Sequence, residues 1–192
     1  MGWGITSGRD FGQYIGSKRL DVGCGAYPES GWTNVDFNPC DPSVVGHDIR
    51  IRPWPFPRGS FDTVKAVHLL EHFRDEELFG IMAEMGEVLE VGGHLIGVVP
   101  YATSSVAYAN PFHRQLWDQS TPSQFAKSLY EVPDSPGTGA HQFMPLADWK
   151  LLDIGLVPDH RWKNRTLDEI SEAMKGQLNV IVEMWFVMRR EN

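Results

Sequence analysis

The sequence predicts an α/β fold with a doubly wound, mostly parallel sheet, and three features carry that reading. Short runs such as Arg19 to Val22 and Thr33 to Asp36 end in a glycine turn or an acid, as buried strands of such a sheet do. Leu78, Ile81, Met82, Met85, Val88 and Leu89 recur at three-and-four spacing, which gives a helix from Asp75 one apolar face. The final run, Asn179 to Met188, is β-branched and aromatic and reads as the last strand.

The 192 residues suit one domain, 1–192, with a full hydrophobic core. Hydrophobic residues at 42% and charged residues at 22% exclude a disordered or fibrous chain. The formal net charge of −8 repels phosphate backbones, so nucleic acid is a disfavoured partner despite the basic stretch from Arg161 to Arg165. Cys24 and Cys40 allow at most one bridge, which suits a reducing compartment. Residues 1–16 have no continuous apolar region, so neither a signal peptide nor a membrane span is expected, and a cytoplasmic location is. This arm has no clear period. Phe11 to Ile15 could turn once over a site or pack loosely, and no chemistry is assigned to it.

In Arg19-Leu20-Asp21-Val22-Gly23-Cys24-Gly25 a strand runs into a turn whose glycines let a ligand approach the backbone. Ala26, Tyr27 and Pro28 follow, so the third glycine of a dinucleotide fingerprint is missing, as is the Gly-Lys-Ser/Thr of a phosphate loop. Asp36 ends the second strand where a carboxylate accepts hydrogen bonds from ribose hydroxyls. Only residues 26–32 separate Gly25 from that strand, and the next connection, 38–42, is shorter still, so the first crossover helices must be reduced to turns. The prolines of 52–60 exclude a helix and predict an extended linker pinned by Trp54 and Phe56.

Asp62 to Val67 is the next strand, with His68-Leu69-Leu70-Glu71-His72 at its carboxyl end, where open α/β sheets bind ligands. These five residues also fit a His-x-x-Glu-His zinc peptidase pattern, which needs both histidines on one face of one helix. Here the first histidine ends a strand and the helix begins later, so no metal ligand is assigned. Gly92-Gly93 is expected to end that helix, with His94 to Val99 as the following strand. Residues 101–145 read as a variable substrate or lid region, with His113 as a candidate base. Thr121-Pro122-Ser123-Gln124 predicts a helix to Tyr130, and 133–139 a loop able to act as a lid. Trp149 to Leu156 reads as a strand, with a helix ending at Gly155 as the alternative, Thr166-Leu167-Asp168-Glu169 opens a helix to Lys175, and the last strand is expected at a sheet edge.

Leu20-Asp21-Val22-Gly23-Cys24-Gly25, Asn34-Val35-Asp36, Phe61-Asp62-Thr63-Val64 with His68 to His72, and Val88-Leu89-Glu90-Val91-Gly92-Gly93-His94-Leu95 resemble, in order, the motifs of class I S-adenosylmethionine-dependent methyltransferases. The resemblance covers 18–101 and implies a Rossmann-like, seven-stranded sheet with an antiparallel last strand. It also implies S-adenosylmethionine as methyl donor. On the matching positions Asp21, Gly23, Cys24, Gly25, Asp36, Phe37, Asp48, Ile49 and His68 would bind the cofactor, Asp48 at the adenine amino group and Ile49 beside the ring. His68, Glu71, His72 and His113 are the candidates for acceptor chemistry, Glu71 orienting an imidazole. The Asn/Asp-Pro-Pro-aromatic signature for exocyclic amino groups of bases is absent. The expected acceptor is therefore a small molecule, glycan or lipid head group, methylated on oxygen or nitrogen. The alternatives are a metal-dependent hydrolase using His68, Glu71 and His72, and a cofactor-binding module without turnover.

Overall fold

The structure is a computed structural model that describes residues 4–6, 8–39, 41–126 and 148–192. Its strands are β1 (Gly4–Ile5), β2 (Arg19–Val22), β3 (Thr33–Asp36), β4 (Val44–Gly46), β5 (Phe61–Val67), β6 (Leu89–Pro100), β7 (Trp149–Pro158) and β8 (Ile181–Arg190). They form one sheet in the order β1-β7-β8-β6-β5-β2-β3-β4. The strands from β4 to β6 are parallel, and β8 runs antiparallel to both β6 and β7, as the resemblance implied. The eighth strand, beyond the seven expected, is β1, which pairs with β7 through Gly4↔Gly155 and Ile5↔Leu156.

The helix α1 (Asp75–Val88) lays Leu78, Ile81, Met82 and Met85 into the larger core beside Leu20, Val22, Val64 and Leu95. It ends because Leu89 turns extended and pairs with Phe61, not because of Gly92-Gly93. Those glycines lie inside β6, where the pairing jumps from Phe61↔Leu89 to Thr63↔His94 and Gly92, at φ +86°, carries the bulge. β8 lies between β6 and β7 rather than at the edge, and Met184 to Met188 are buried. An apolar run flanked by two strands gains more buried area than one at an edge, which its composition anticipates better than the edge assignment did.

The opposite face, around Ile96, Val98, Trp185 and Val187, is covered by Phe11, Tyr14 and Ile15 of the N-terminal arm instead of a helix. Trp185 Nε1 donates to Gly8 O at 3.2 Å, and Phe11 packs edge-on to its ring. The arm is thus packed on the sheet and makes one 3-10 turn, Gly12–Tyr14, within the stretch where a turn was weighed against loose packing. Farther along this face, 26–32 replace the lost crossover helix. Asn34 staples them by accepting from Glu29 N at 2.9 Å and donating to Glu29 O and Trp32 O. Beneath lies the buried pair Lys65 and Asp21 at 3.2 Å, with Glu29 also bound to Lys65 and the Trp32 ring 4.4 Å from the ammonium. A turn too short to bring an apolar helix face leaves polar groups that must be satisfied by one another.

The linker behaves as expected. Trp54 donates its ring N–H to Ile49 O and its backbone N–H to Glu84, and Phe56 meets Phe61 edge-on. Thr121 does not cap a helix. It has helical dihedrals itself, bonds Asp118, and is followed by one 3-10 turn, Pro122–Phe125, which Ala126 ends by bridging to Trp149. The remainder of that expected helix, 127–130, and the expected lid, 133–139, lie outside the described residues. The helix α2 (Ser105–Ala109) was not anticipated, whereas α3 (Leu167–Met174) opens on the expected capping box between Thr166 and Glu169.

Candidate active site

The carboxyl ends of β2, β3 and β5 meet at a cleft of about 540 Å³ lined by Gly23, Asp36, Phe37, Asp48, Ile49 and Leu69, with His72 and Phe112 at its far side. That volume lies in the range of small-molecule sites. Gly23 is required twice over. Its φ of +71° disfavours a side chain, and a Cβ would stand 2.6 Å from Leu69 Cδ1. Asp36 accepts from Gly25 N on one oxygen and from Asn38 N on the other, both at 2.9 Å, which locks the turn and leaves each oxygen a lone pair toward the cleft. Cys24 is partly exposed in that turn, its Sγ 3.7 Å from Gly25 O.

Asp48 sits at the cleft but is gripped by Arg50, whose Nη2 approaches Oδ2 at 2.6 Å and whose Nε and backbone N approach Oδ1. These hydrogen bonds hold its carboxyl below the usual range. An adenine amino group placed there would compete with this guanidinium, which is 54% exposed. Asp21 does not line the cleft. It points to the other face of the sheet, where burial pushes its carboxyl up and Lys65 pulls it back. Its contribution is to fix β2 against β5.

A second cavity of about 520 Å³ adjoins the first and shares His72 with it. Its walls are His68, Glu71 and His113 together with Pro100, Val106 and Ala109. Four of the candidates named from sequence thus meet at one place. His68 is a non-glycine residue at φ +52°, held there by its N–H bonding Val98 O as β5 turns into the 3-10 turn Leu70–His72. Its Nε2 lies 3.1 Å from Glu183 and its Nδ1 3.6 Å from Glu71. Glu183 also takes a two-pronged contact from Arg9, at 2.9 and 2.7 Å. The Arg9 and His68 nitrogens fall 3.2 Å apart, with the Glu183 carboxylate bridging them. The hydrogen bond to Glu183 and then the nearby Glu71 carboxylate raise His68 to about 9, and Arg9 and His68 hold Glu183 down at about 2. That direction favours the protonated ring at neutral pH, which makes His68 a poorer proton acceptor than its position at the end of β5 alone suggests.

Glu71 is buried. Its backbone carbonyl accepts from Arg114 N at 2.8 Å and Gln115 N at 3.1 Å, which pins the 110–115 loop to the end of β5. The same loop brings His113 Nε2 to 3.8 Å from the Glu71 carboxylate. The His72 and His113 rings meet edge-on at 4.9 Å. Sequence reading missed Arg9, for which there was no signal, and Glu183, for which there was one: a lone acid within the apolar run from Val180 to Met188. Because His68 and His72 share no helix, the zinc peptidase geometry is absent.

A family model described as a methyltransferase domain matches residues 41–97. No curated protein sequence matches the chain. Among solved structures, a SAM-dependent methyltransferase from Archaeoglobus fulgidus superposes with a TM-score of 0.60 at 17% identity, covering 92% of this chain and 87% of that one. A SAM-dependent methyltransferase from Mesorhizobium loti gives 0.51 at 12% identity, with 93% and 94% covered. The N-methyltransferase NodS of Bradyrhizobium japonicum, solved with S-adenosylhomocysteine, gives 0.50 at 13%, with 92% and 79% covered. The fold is thus that of the class I S-adenosylmethionine-dependent methyltransferases. The methyltransferase-domain match adds to that likeness of fold over residues 41–97.

Proposed function

We propose that this single domain, 1–192, moves a methyl group to a hydroxyl or amine of a small molecule, glycan or lipid head group held in the second cavity. The observation that carries the reading is the shared wall: the cleft with Gly23, Asp36 and Asp48 has His72 in common with a pocket that has an apolar side and a polar end. The residues fit the cofactor, since Gly23 clears its approach, Asp36 has acceptor capacity for a ribose, and Ile49 and Phe37 offer apolar surface. When bound, S-adenosylmethionine supplies an electrophilic methyl group on its sulfonium. The chain's own work is to hold the acceptor in line and to keep water out. An amine acceptor needs no base. For a hydroxyl, His113 is the group for the proton: its Nδ1 faces Ala107 O at 3.2 Å, which fixes the tautomer with a lone pair on Nε2, and Glu71 stabilises the imidazolium. The acidic chain argues against a nucleic acid acceptor. No helix among the described residues is long and apolar enough to cross a membrane, and a cytoplasmic location is part of this reading.

The test is a calorimetric titration with S-adenosylhomocysteine, followed by transfer of labelled methyl to a panel of hydroxyl and amine acceptors. Asp36→Ala should bind the cofactor product about 10- to 100-fold more weakly, the scale of hydrogen bonds to a charged group. Equal binding by the variant would remove Asp36 from the site. Tight binding with no acceptor methylated in any class would favour a binding module instead.

A further inference from the structure

We propose that Glu71, His72 and His113 form a binding site for a zinc-class divalent cation at the wall between the two cavities. One donor atom from each lies within 4.8 Å of the other two. Two independent features mark this as more than a chance cluster. The Glu71 carboxylate is fully enclosed, its side chain 2% exposed, yet neither oxygen has a hydrogen-bond partner. A buried carboxylate in that condition is costly unless cations meet it closely, and His68 Nδ1 stands off at 3.6 Å without a hydrogen bond. Moreover, both imidazoles have Nδ1 against a backbone carbonyl, His72 facing Phe112 O at 3.3 Å and His113 facing Ala107 O at 3.2 Å. With Nδ1–H donated outward, each ring keeps its lone pair on Nε2, the outer-shell arrangement that orients metal-ligating histidines.

The His113 Nε2 to Glu71 separation of 3.8 Å is too long for a hydrogen bond and close to the ~3.4 Å between two ligands of one tetrahedral ion. Without a cation, the contact sets a lone pair against a carboxylate. Two nitrogens and one oxygen suit zinc and its neighbours rather than magnesium or calcium, which prefer oxygen shells. The set also differs from the one the sequence pattern suggests. His68 is held by Glu183, and His113, some forty residues away in sequence, takes its place.

Three protein ligands leave a position open toward the second cavity, where a hydroxyl or amine of the acceptor can coordinate. Only that last point rests on the function proposed above, and with the cation bound His113 serves as a ligand rather than a base. The experiment is titration of chelator-treated protein with Zn²⁺ and, for its visible spectrum, Co²⁺, with S-adenosylhomocysteine titrated in parallel. One equivalent should bind, with the absorption of a four- or five-coordinate Co²⁺ site. Affinity should fall more than 100-fold in both Glu71→Gln and His113→Ala, and stay unchanged in a control at the exposed His160, His160→Ala. Ring ¹⁵N shifts of His113 Nε2 in the wild type, which need no variant to fold, should move on Zn²⁺ addition. No stoichiometric binding, retention in both variants, or an unmoved His113 resonance would overturn the site. If the cation binds and S-adenosylhomocysteine does not, the cofactor reading fails and the metal site stands; the reverse result removes the metal site alone.

Discussion

His68 shows how much of the site's electrostatics is decided by individual contacts. The ring is raised from 6.5 to about 9, so its stabilising contribution is complete below pH 6.5 and disappears as pH climbs through 9. Glu183, lowered from 4.5 to about 2, contributes fully above pH 4.5 and loses its effect as pH falls through 2. The Arg9, Glu183 and His68 group is therefore at its strongest between those limits. The His68 side chain is 44% exposed, so solvent screening leaves about 1 kcal/mol of its share. His68→Asn keeps a residue tolerant of positive φ. Urea midpoints should show the wild type losing about 1 kcal/mol between pH 6.5 and 9.5 relative to this variant. Parallel profiles would mean that the ring is not charged by its neighbours.

Among the elements, the turn after β2 depends most on one backbone position. Gly23→Ala places a methyl group at φ +71° and into Leu69, which itself lines the cleft. The variant should lose about 1–3 kcal/mol of stability and bind S-adenosylhomocysteine at least tenfold more weakly. Thermal unfolding with and without the ligand separates the two effects. Unchanged binding in a folded variant would show that Leu69 yields freely and does not shape the cleft. The loop that presents His113 is organised differently, by the Glu71 carbonyl and by Trp117, which is fully buried and stacked on Phe186 at 5.5 Å.

Across the whole molecule, β8 joins the two faces of the sheet. Trp185 and Phe186 point to opposite sides, and each lies over a glycine of a neighbouring strand, Gly155 and Gly97. A Cβ on Gly97 would fall 2.1 Å from the Phe186 ring, so Gly97→Ala must displace that ring and with it the stack on Trp117. Its cost should be about 1–3 kcal/mol, read from the urea midpoint at constant slope, and larger than that of an alanine at open Gly176. An equal midpoint for the two variants would show that the stack re-forms around the added carbon.

Local pattern was enough for β2, β3, β5 and the second half of β6, for α1 and for the capping box of α3, because period and capping chemistry act within a few residues. It also set Asp36, Glu71 and His72 at the carboxyl ends of parallel strands, which share one edge of the sheet, whereas Asp48 came from the family resemblance. Gly92-Gly93 and Thr121 were misread for a common reason: a glycine pair or a Thr-Pro pair offers a chain end several uses, and the neighbouring strand decides among them. The position of β8, the second face covered by the arm, and the contacts of Arg9 and Glu183 across 174 residues were decided by tertiary structure alone. So was the meeting of His113 with Glu71. Contacts at such separations depend on which surfaces remain uncovered once the sheet is assembled, and no local preference in the sequence records that.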